Sequence, residues 1–235
     1  MSMTAEPGAS PGLYRLFAWV SPSFPIGAFS YSHGLEAAAA GGGVSDRASL
    51  QSWIAAVVTQ GSGRIDADIL AEAYRAAQAG DTAALDAANH RALAFRPTAE
   101  LGLETTQQGE AFLNTCRAAW PDAFLEEWVA PIASERRFCH SAVFGAVAAR
   151  AGIALNDALI GYLQAFAANL VSAGLRLGII GQTDGQRILA ALEPAVAHAA
   201  SSALTRDPTD FGAASFATDL ASMAHETQYM RLFRS

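Results

Sequence analysis

The stretch at residues 158–175, ALIGYLQAFAANLVSAGL, decides the fold class, because its eighteen residues include no charge. This length barely reaches that of a membrane span, and Gln164, Asn169 and Ser172 interrupt the apolar run. We find no second segment of this kind in the sequence. The stretch therefore predicts a buried central helix in a soluble domain rather than a helix in a membrane.

The sequence on either side of this stretch also favours helix over strand. Alanine supplies about one-fifth of the residues, and β-branched residues are few. Apolar side chains recur at helical spacing, as in Leu50, Trp53, Ile54 and Val57. No segment alternates with the period of a strand beside a hairpin turn.

Capping residues, glycines and prolines place the predicted helix ends. Ser10-Pro11 has the pattern of an N-cap followed by a proline at the first helical position, and Gly41-Gly42-Gly43 predicts a helix end. A long helix is predicted over residues 98–119. Asn156 is predicted to cap the central helix, and residues 183–186 have capping-box spacing.

These elements predict an all-α fold. We expect a single globular multi-helix domain over residues 1–235, with about ten helices around the buried central helix. Residues 1–10 are expected to be flexible, and residues 225–235 are expected to form a tail that binds a partner.

Charge and cysteine usage exclude several classes of function. The formal net charge is −7, and all fifteen basic residues are Arg. A chain without Lys cannot be a P-loop nucleotidase or a Schiff-base enzyme. Scattered Arg in an acidic chain does not predict nucleic-acid binding. The two cysteines and the lack of a recognisable targeting segment predict a reduced, cytoplasmic protein.

Metal ligation by one subunit is not expected. The five histidines are scattered, and no two stand at i and i+4 on one helix. His225-Glu226 opens like a zincin motif, but Tyr229 stands where the second His is required. Cys139 and His140 are adjacent and therefore point to different faces of a helix.

Catalytic nucleophiles are also weakly indicated. Ser30 and Ser32 do not form the G-x-S-x-G elbow of hydrolases, although a Ser30–His33 pair leaves a small helical hydrolase as an alternative. The carboxylates of Glu100 and Glu104 could act as acids or bases, but no pattern in the sequence pairs them. The Glu36 carboxylate could likewise act as an acid or a base, and no pattern in the sequence pairs it.

The tail has the residue composition that most clearly suggests a binding function. Residues 225–235, HETQYMRLFRS, mix Arg with Tyr, Met, Leu and Phe, which are types enriched at protein interfaces. If the tail is helical, Tyr229 and Phe233 lie at i and i+4 and could fill one groove of a partner. Truncation after Ala224 is then expected to remove partner capture while the fold stays intact.

Four motifs resemble those of the urease accessory protein F (UreF) family. The first is residues 21–36, SPSFPIGAFSYSHGLE, and the second combines Glu100, Glu104-Thr105 and Gly109. The third runs from Asn169 through Arg176 to residues 181–186, and the fourth is the tail. They occur in the family's order and cover most of the chain.

The resemblance implies an all-α, cytosolic scaffold that is not an enzyme. Such proteins bind the accessory protein UreD, also called UreH, and the nickel GTPase UreG, and the assembly promotes GTP-dependent nickel insertion into apo-urease. It also implies a homodimer, with no membrane or nucleic-acid partner. Nickel would be handled by the complex, with no cofactor bound tightly by this chain. A metallochaperone that itself binds nickel remains a second alternative.

The resemblance implies that partner-binding residues lie in the opening motif, after the central helix and in the tail. They are Gly27, Ser30, Tyr31, Ser32, Gly34, Glu36, Arg176, Gln182, Asp184, Gln186, His225, Glu226, Tyr229, Arg231, Leu232 and Phe233. We further expect Gly34→Val to impair urease activation more than folding.

Overall fold

This computed structural model describes residues 11–130 and 137–235. The described residues form eleven α-helices and two short 3-10 helices, and they include no strand. The α-helices are α1 (Pro11–Trp19), α2 (Leu35–Ala40), α3 (Arg47–Gln60), α4 (Ser62–Ala79), α5 (Thr82–Ala94), α6 (Ala99–Ala119), α7 (Ala123–Val129), α8 (His140–Arg150), α9 (Leu155–Arg176), α10 (Gln182–Thr205) and α11 (Phe216–Glu226). The 3-10 helices are Ala28–Ser30 and Pro208–Asp210. The predicted all-α class is confirmed. The predicted flexible segment, residues 1–10, lies outside the described residues.

Two of the predicted helix starts are wrong by two residues each. Asn156 lies inside α9, because Ala154 takes the extended N-cap conformation and Leu155 begins the helix. Residues 183–186 lie within the first turn of α10, whose N-cap is Gly181. In both cases the N-cap residue makes no capping hydrogen bond through a side chain, so no capping residue marks the start in the sequence.

The centre of the molecule is formed by α4, α8 and α9. Gly145 lets α8 lie directly on α4, since a Cβ at that position would come within 2.3 Å of the Leu70 carbonyl oxygen. The predicted central helix, α9, packs against α3, α4, α8 and α10. One side of α9, including Gln164, remains exposed. The structure therefore adds α4 and α8 to the predicted centre.

Two buried ion pairs fasten α4 to later parts of the chain. Asp66 binds Arg96, which lies between α5 and α6, and both side chains are buried. Asp68 accepts a hydrogen bond from Arg206, after α10, at 2.8 Å. These carboxylates interrupt the apolar pattern of α4, which explains why the sequence does not identify it as a core helix.

Two helices, α9 and α10, are long and apolar enough to span a membrane by length and composition alone. The charge-free stretch identified in the sequence lies in α9, whereas α10 contains Arg187 and Glu193 and is apolar only on average. In the apolar windows of the two helices, 50% and 33% of the residues are buried inside the domain. Core helices of soluble proteins have the same length and composition, so the two helices are weak evidence for a membrane span.

Candidate functional site

The tail (residues 225–235) returns to the opening segment (residues 21–36) and is hydrogen-bonded to it through the backbone. The Arg234 N–H donates to the Ser30 carbonyl at 2.8 Å, and the Ser32 N–H donates to the Ser235 carbonyl at 2.8 Å. The Ser32 hydroxyl donates to the same Ser235 oxygen. The two segments therefore form one continuous surface.

Glu36 is the main acceptor for the tail. Its carboxylate accepts hydrogen bonds from the Leu232 N–H at 2.7 Å and the Phe233 N–H at 3.0 Å. The His225 Nε2 atom lies 3.1 Å from the same carboxylate. Burial by itself would raise the pKa of Glu36, but the hydrogen bonds from Leu232, His225 and Phe233 together lower it below its ordinary value.

His225 is fully buried and joins α11 to α6. Its Nδ1 atom lies 2.6 Å from Glu100, while its Nε2 atom faces Glu36. The other oxygen of Glu100 accepts a hydrogen bond from Arg231 at 2.6 Å. Glu226 caps α6 by accepting from the Ala99 N–H at 2.9 Å. These contacts fix the base of the tail.

His33 forms a second polar connection beside the first. Its Nδ1 atom lies 3.2 Å from Glu104 and its Nε2 atom lies 2.7 Å from the Ser62 hydroxyl. The hydroxyl of Ser235 donates to the same Glu104 oxygen at 2.8 Å. His33 has a left-handed backbone with φ of 57°. Side-chain contacts on both ring nitrogens stabilise this uncommon conformation.

The order Glu104–His33–Ser62 is that of an acid–base–nucleophile chain. The predicted Ser30–His33 pair is wrong, because both nitrogens of the His33 ring face other residues. Next to this chain lies a cavity of about 360 Å³, which His33 and Glu104 line. Ser62 does not line that cavity, so the cavity offers no substrate position at its hydroxyl.

Arg176 at the end of α9 bridges the opening segment and the tail. Its guanidinium donates to the Phe29 carbonyl and lies 4.3 Å from the centre of the Phe233 ring. Tyr31 donates to Gln107 of α6, which also accepts from Arg234 at 3.2 Å. The tail is thus held by α2, α6 and α9 together.

Gly34 permits the close approach of α2 and α11. Its φ is +78°, and a Cβ added there would lie 3.0 Å from the Ser222 backbone nitrogen. The Ser222 hydroxyl is itself bonded to Thr98 at 2.8 Å. The expectation that Gly34→Val would impair urease activation more than folding conflicts with this geometry, because a branched side chain must displace the α11 backbone.

The tail is not helical beyond Glu226, so the arrangement in which Tyr229 and Phe233 fill one groove from a helix does not occur. Helix α11 ends at Glu226, and residues 227–235 follow without helix because their amides bond to Glu36 and Ser30. Tyr229 is 99% exposed and Phe233 only 4% exposed, so the two rings do not share one face. A truncation after Ala224 would remove buried contacts of the domain itself.

The structure divides the sixteen residues assigned to partner binding into two groups. The opening segment and the tail bring most of them together, whereas Gln182, Asp184 and Gln186 lie at the start of α10. There Asp184 faces Arg47 at 3.8 Å. The buried members, which cannot touch a partner while the tail is docked, are Tyr31, Ser32, Gly34, Glu36, His225 and Phe233.

Sequence reasoning missed several residues that organise this site. Glu100 and Glu104 were expected to lack partners, yet each faces a histidine from a distant part of the chain. Their spacing of four residues places them on one face of α6, which is the pattern that could have indicated their pairing. No comparable spacing in the sequence indicated that Gln107 and Ser235 take part in the site.

The described residues include no group of three or more His, Cys, Asp or Glu side chains arranged to hold a metal ion. Both cysteines are buried and free. Burial raises the pKa of the Cys116 thiol to about 12 and that of Cys139 to about 11. Both thiols are therefore protonated near neutral pH, and a protonated thiol is a poor metal ligand.

The fold and this surface define a class: an all-α protein whose opening segment and tail are joined by buried polar contacts. Residues 44–193 match the UreF family, and the chain belongs to that family. It is 48% identical to the urease accessory protein UreF of Azorhizobium caulinodans over 231 residues, covering 98% of this chain and 99% of the relative. The UreF proteins of Rhodopseudomonas palustris and Granulibacter bethesdensis are also 48% identical, with 99% and 95% of this chain covered and 97% and 94% of the relatives.

Proposed function

We propose that this chain is a non-catalytic scaffold for urease maturation. It binds a UreD/UreH-type protein and a UreG-type GTPase, docks with them on apo-urease, and promotes GTP-dependent insertion of nickel. It acts in the cytoplasm as a homodimer and holds no nickel tightly by itself. Family membership and near full-length similarity to urease accessory proteins UreF support this proposal.

The observation that carries the proposal is the set of apolar side chains that the docked tail presents to solvent. Tyr229, Met230 and Leu232 are 99%, 78% and 63% exposed. The N–H groups of Leu232, Phe233 and Arg234, in the same segment, are hydrogen-bonded to the domain. The exposed side of α11 adds Phe216 and Leu220. Exposed aromatic, Met and Leu side chains on an ordered backbone are typical of a protein-binding surface.

The two groups of surface residues suggest a division between partners. The tail and α11 carry the apolar side chains that fit the UreD-type protein. The polar group at the start of α10, formed by the exposed Gln182 and Gln186 and the half-buried Asp184, fits the GTPase together with the half-buried Gly27 and Ser30 of the opening segment. Preformed polar surfaces of this kind can bias the switch elements of a GTPase without a catalytic group.

Helix α1 provides the surface for the proposed homodimer. Its Leu13, Tyr14 and Phe17 side chains are all exposed, and Ile160 of the neighbouring α9 extends the same apolar area. Isologous pairing of two copies would bury these side chains without covering the tail.

Reciprocal surface variants test the scaffold. We expect Tyr229→Ser/Met230→Ser/Leu232→Ser to lose co-purification with the UreD-type protein while it remains dimeric in light scattering. The matched control, Tyr14→Ser/Phe17→Ser on α1, should become monomeric and still capture that partner. Normal partner capture by the tail variant, with unchanged circular dichroism, would contradict the proposed docking surface.

The Glu104–His33–Ser62 chain supports one alternative function, a serine hydrolase. The scaffold predicts no turnover of generic esters by the wild-type protein. Ester hydrolysis that disappears in Ser62→Ala would favour the hydrolase. The nickel-binding alternative predicts stoichiometric nickel after gel filtration, whereas the scaffold predicts none.

A further inference from the structure

Arginine is the only strongly basic residue type in this chain, and the structure pairs most of the described arginines with carboxylates. Nine of them lie within 4.0 Å of an Asp or Glu oxygen: Arg47, Arg64, Arg91, Arg96, Arg117, Arg150, Arg187, Arg206 and Arg231. Acidic residues outnumber arginines by 22 to 15, so counter-ions are plentiful. An arginine that meets no carboxylate is therefore informative.

Two exposed arginines beside the tail contact only neutral oxygens. Arg176 donates to the Phe29 carbonyl, and to the Ser172 carbonyl at 3.4 Å. Arg234 donates to the side-chain oxygen of Gln107 at 3.2 Å. Neither arginine belongs to an ion pair within the described part of the chain.

These two arginines meet at one junction between the opening segment and the tail. The Arg176 guanidinium bonds to the Phe29 carbonyl and lies 4.3 Å from the centre of the Phe233 ring. The next residue of each segment completes the junction, because the Arg234 N–H donates to the Ser30 carbonyl at 2.8 Å. We call the surface around Arg176 and Arg234 the arginine junction.

The arginine junction has donors to spare. A guanidinium carries five N–H donors in a planar fork, and the neutral oxygens use only part of them. Burial lowers the pKa of Arg176, which shows that its surroundings disfavour the charge instead of balancing it. Contacts with a ring and with carbonyl oxygens also hold the Arg176 side chain in place, so little ordering remains to be lost on binding.

The surroundings of the junction favour an acidic partner. Phe29 and Leu232 are largely exposed beside it, and an arginine among exposed apolar side chains has the composition of a binding hot spot. The chain as a whole has a formal net charge of −7 and repels acidic proteins elsewhere. A local positive surface on an acidic protein sets the orientation of a partner that carries the opposite charge.

We propose that the arginine junction binds an acidic segment of the UreD-type protein, whose Asp or Glu carboxylates pair with Arg176 and Arg234. This inference rests on the proposed function and specifies the chemistry that the partner presents. Each carboxylate accepts two N–H groups from one guanidinium, which is the strongest arrangement for such a pair. Phe29 and Leu232 pack against the apolar part of the segment and exclude water from the ion pairs.

Salt dependence of capture tests the proposal with the full chain and immobilised UreD-type protein. Salt screens exposed charges, so the affinity of the wild-type chain should fall at least about tenfold between about 50 and 500 mM NaCl. Arg176→Glu/Arg234→Glu should bind at least about tenfold more weakly at low salt and lose this dependence. The matched control is Arg75→Glu on α4, an exposed arginine that bonds to the Leu204 carbonyl at 2.9 Å, and it should behave as wild type.

A charge-conserving variant separates pairing with the partner from attachment of the tail. The amide resonances of Leu232 and Phe233 report whether the tail stays docked. If the Glu variant releases the tail, Arg176→Lys/Arg234→Lys decides, because it keeps both charges and should retain the salt dependence. Loss of the salt dependence in the Lys variant, or salt-independent capture of the wild-type chain, would overturn the proposal.

The apolar tail variant, Tyr229→Ser/Met230→Ser/Leu232→Ser, distinguishes failure of this inference from failure of the proposed function. It keeps both arginines of the junction. Loss of capture in this variant, together with normal capture by Arg176→Glu/Arg234→Glu, would refute the acidic segment and leave the docking surface in place. Normal capture by both variants would refute the docking surface as well.

Discussion

At the scale of single residues, Glu36 controls the attachment of the tail. One carboxylate receives two backbone N–H groups and faces the His225 ring. An ionised carboxylate accepts all of these hydrogen bonds, whereas a protonated one must donate from one of its oxygens. The docked tail therefore favours the ionised form, in agreement with the lowered pKa of Glu36.

This lowered pKa predicts release of the tail in acid. A carboxylate with a depressed pKa contributes its full stabilisation above the ordinary value of 4.5 and loses it as the pH falls through the lower folded value. The Leu232 and Phe233 amide resonances should therefore move toward random-coil positions below about pH 4.5. In Glu36→Gln, which cannot ionise, they should be displaced already at pH 7. Unchanged resonances in that variant would show that Glu36 does not hold the tail.

Two glycines of the opening segment provide a matched comparison. Gly27 has a φ of +72° with open space around its Cβ position, whereas Gly34 has a φ of +78° and the Ser222 backbone nearby. Gly27→Ala should lower the free energy of unfolding by about 1 kcal/mol, because alanine is strained in the left-handed conformation but meets no neighbouring atom. Gly34→Ala should lower it by at least about 2 kcal/mol, because α11 must also move. Equal losses in urea denaturation would show that the α2–α11 contact is not tight.

At the scale of elements, the tail differs from the amphipathic helix that its composition suggests. Its N–H groups bond to a side chain of α2 and a carbonyl of the opening segment instead of to the preceding turn. Phe233 turns inward beneath Arg176, and Leu232 turns outward. Neighbouring side chains that face in and out do not indicate a helix, where residues three or four apart share a face.

Neighbouring tail residues should accordingly have different roles. Phe233→Ala removes a buried ring and should lower the free energy of unfolding by up to about 3 kcal/mol, with faster proteolysis of the tail. Leu232→Ala removes an exposed side chain and should change stability by less than about 0.5 kcal/mol while weakening partner capture. Equal proteolysis rates for the two variants would argue against the docked tail.

At the scale of the whole molecule, buried charge pairs connect helices that are distant in sequence. Asp66 on α4 meets Arg96 near the start of α6, and Asp68 meets Arg206 after α10. Burial by itself raises the pKa of Asp68, although Arg206 opposes this effect. Such pairs fix the relative positions of helices more than they add net stability.

Removal of one partner of a buried pair should be far more damaging than the same change at the surface. Asp66→Asn leaves the Arg96 charge buried without a counter-charge and should lower the free energy of unfolding by about 3–5 kcal/mol. The control is Glu126→Gln, which breaks the exposed Arg117–Glu126 pair and should lower it by less than about 1 kcal/mol. Similar chemical denaturation midpoints for the two variants would contradict a buried Asp66–Arg96 pair.

By itself, the sequence determined the all-α class and most helix ends. These features depend on local spacing and capping, which neighbouring residues settle. Only the tertiary structure decided that Phe233 is buried and Tyr229 exposed, that Glu36 receives two amides 196 and 197 positions away, and that Glu100 and Glu104 each meet a histidine. Such pairings depend on how the helices pack, because the residues are remote in the chain and share no periodicity that could indicate them.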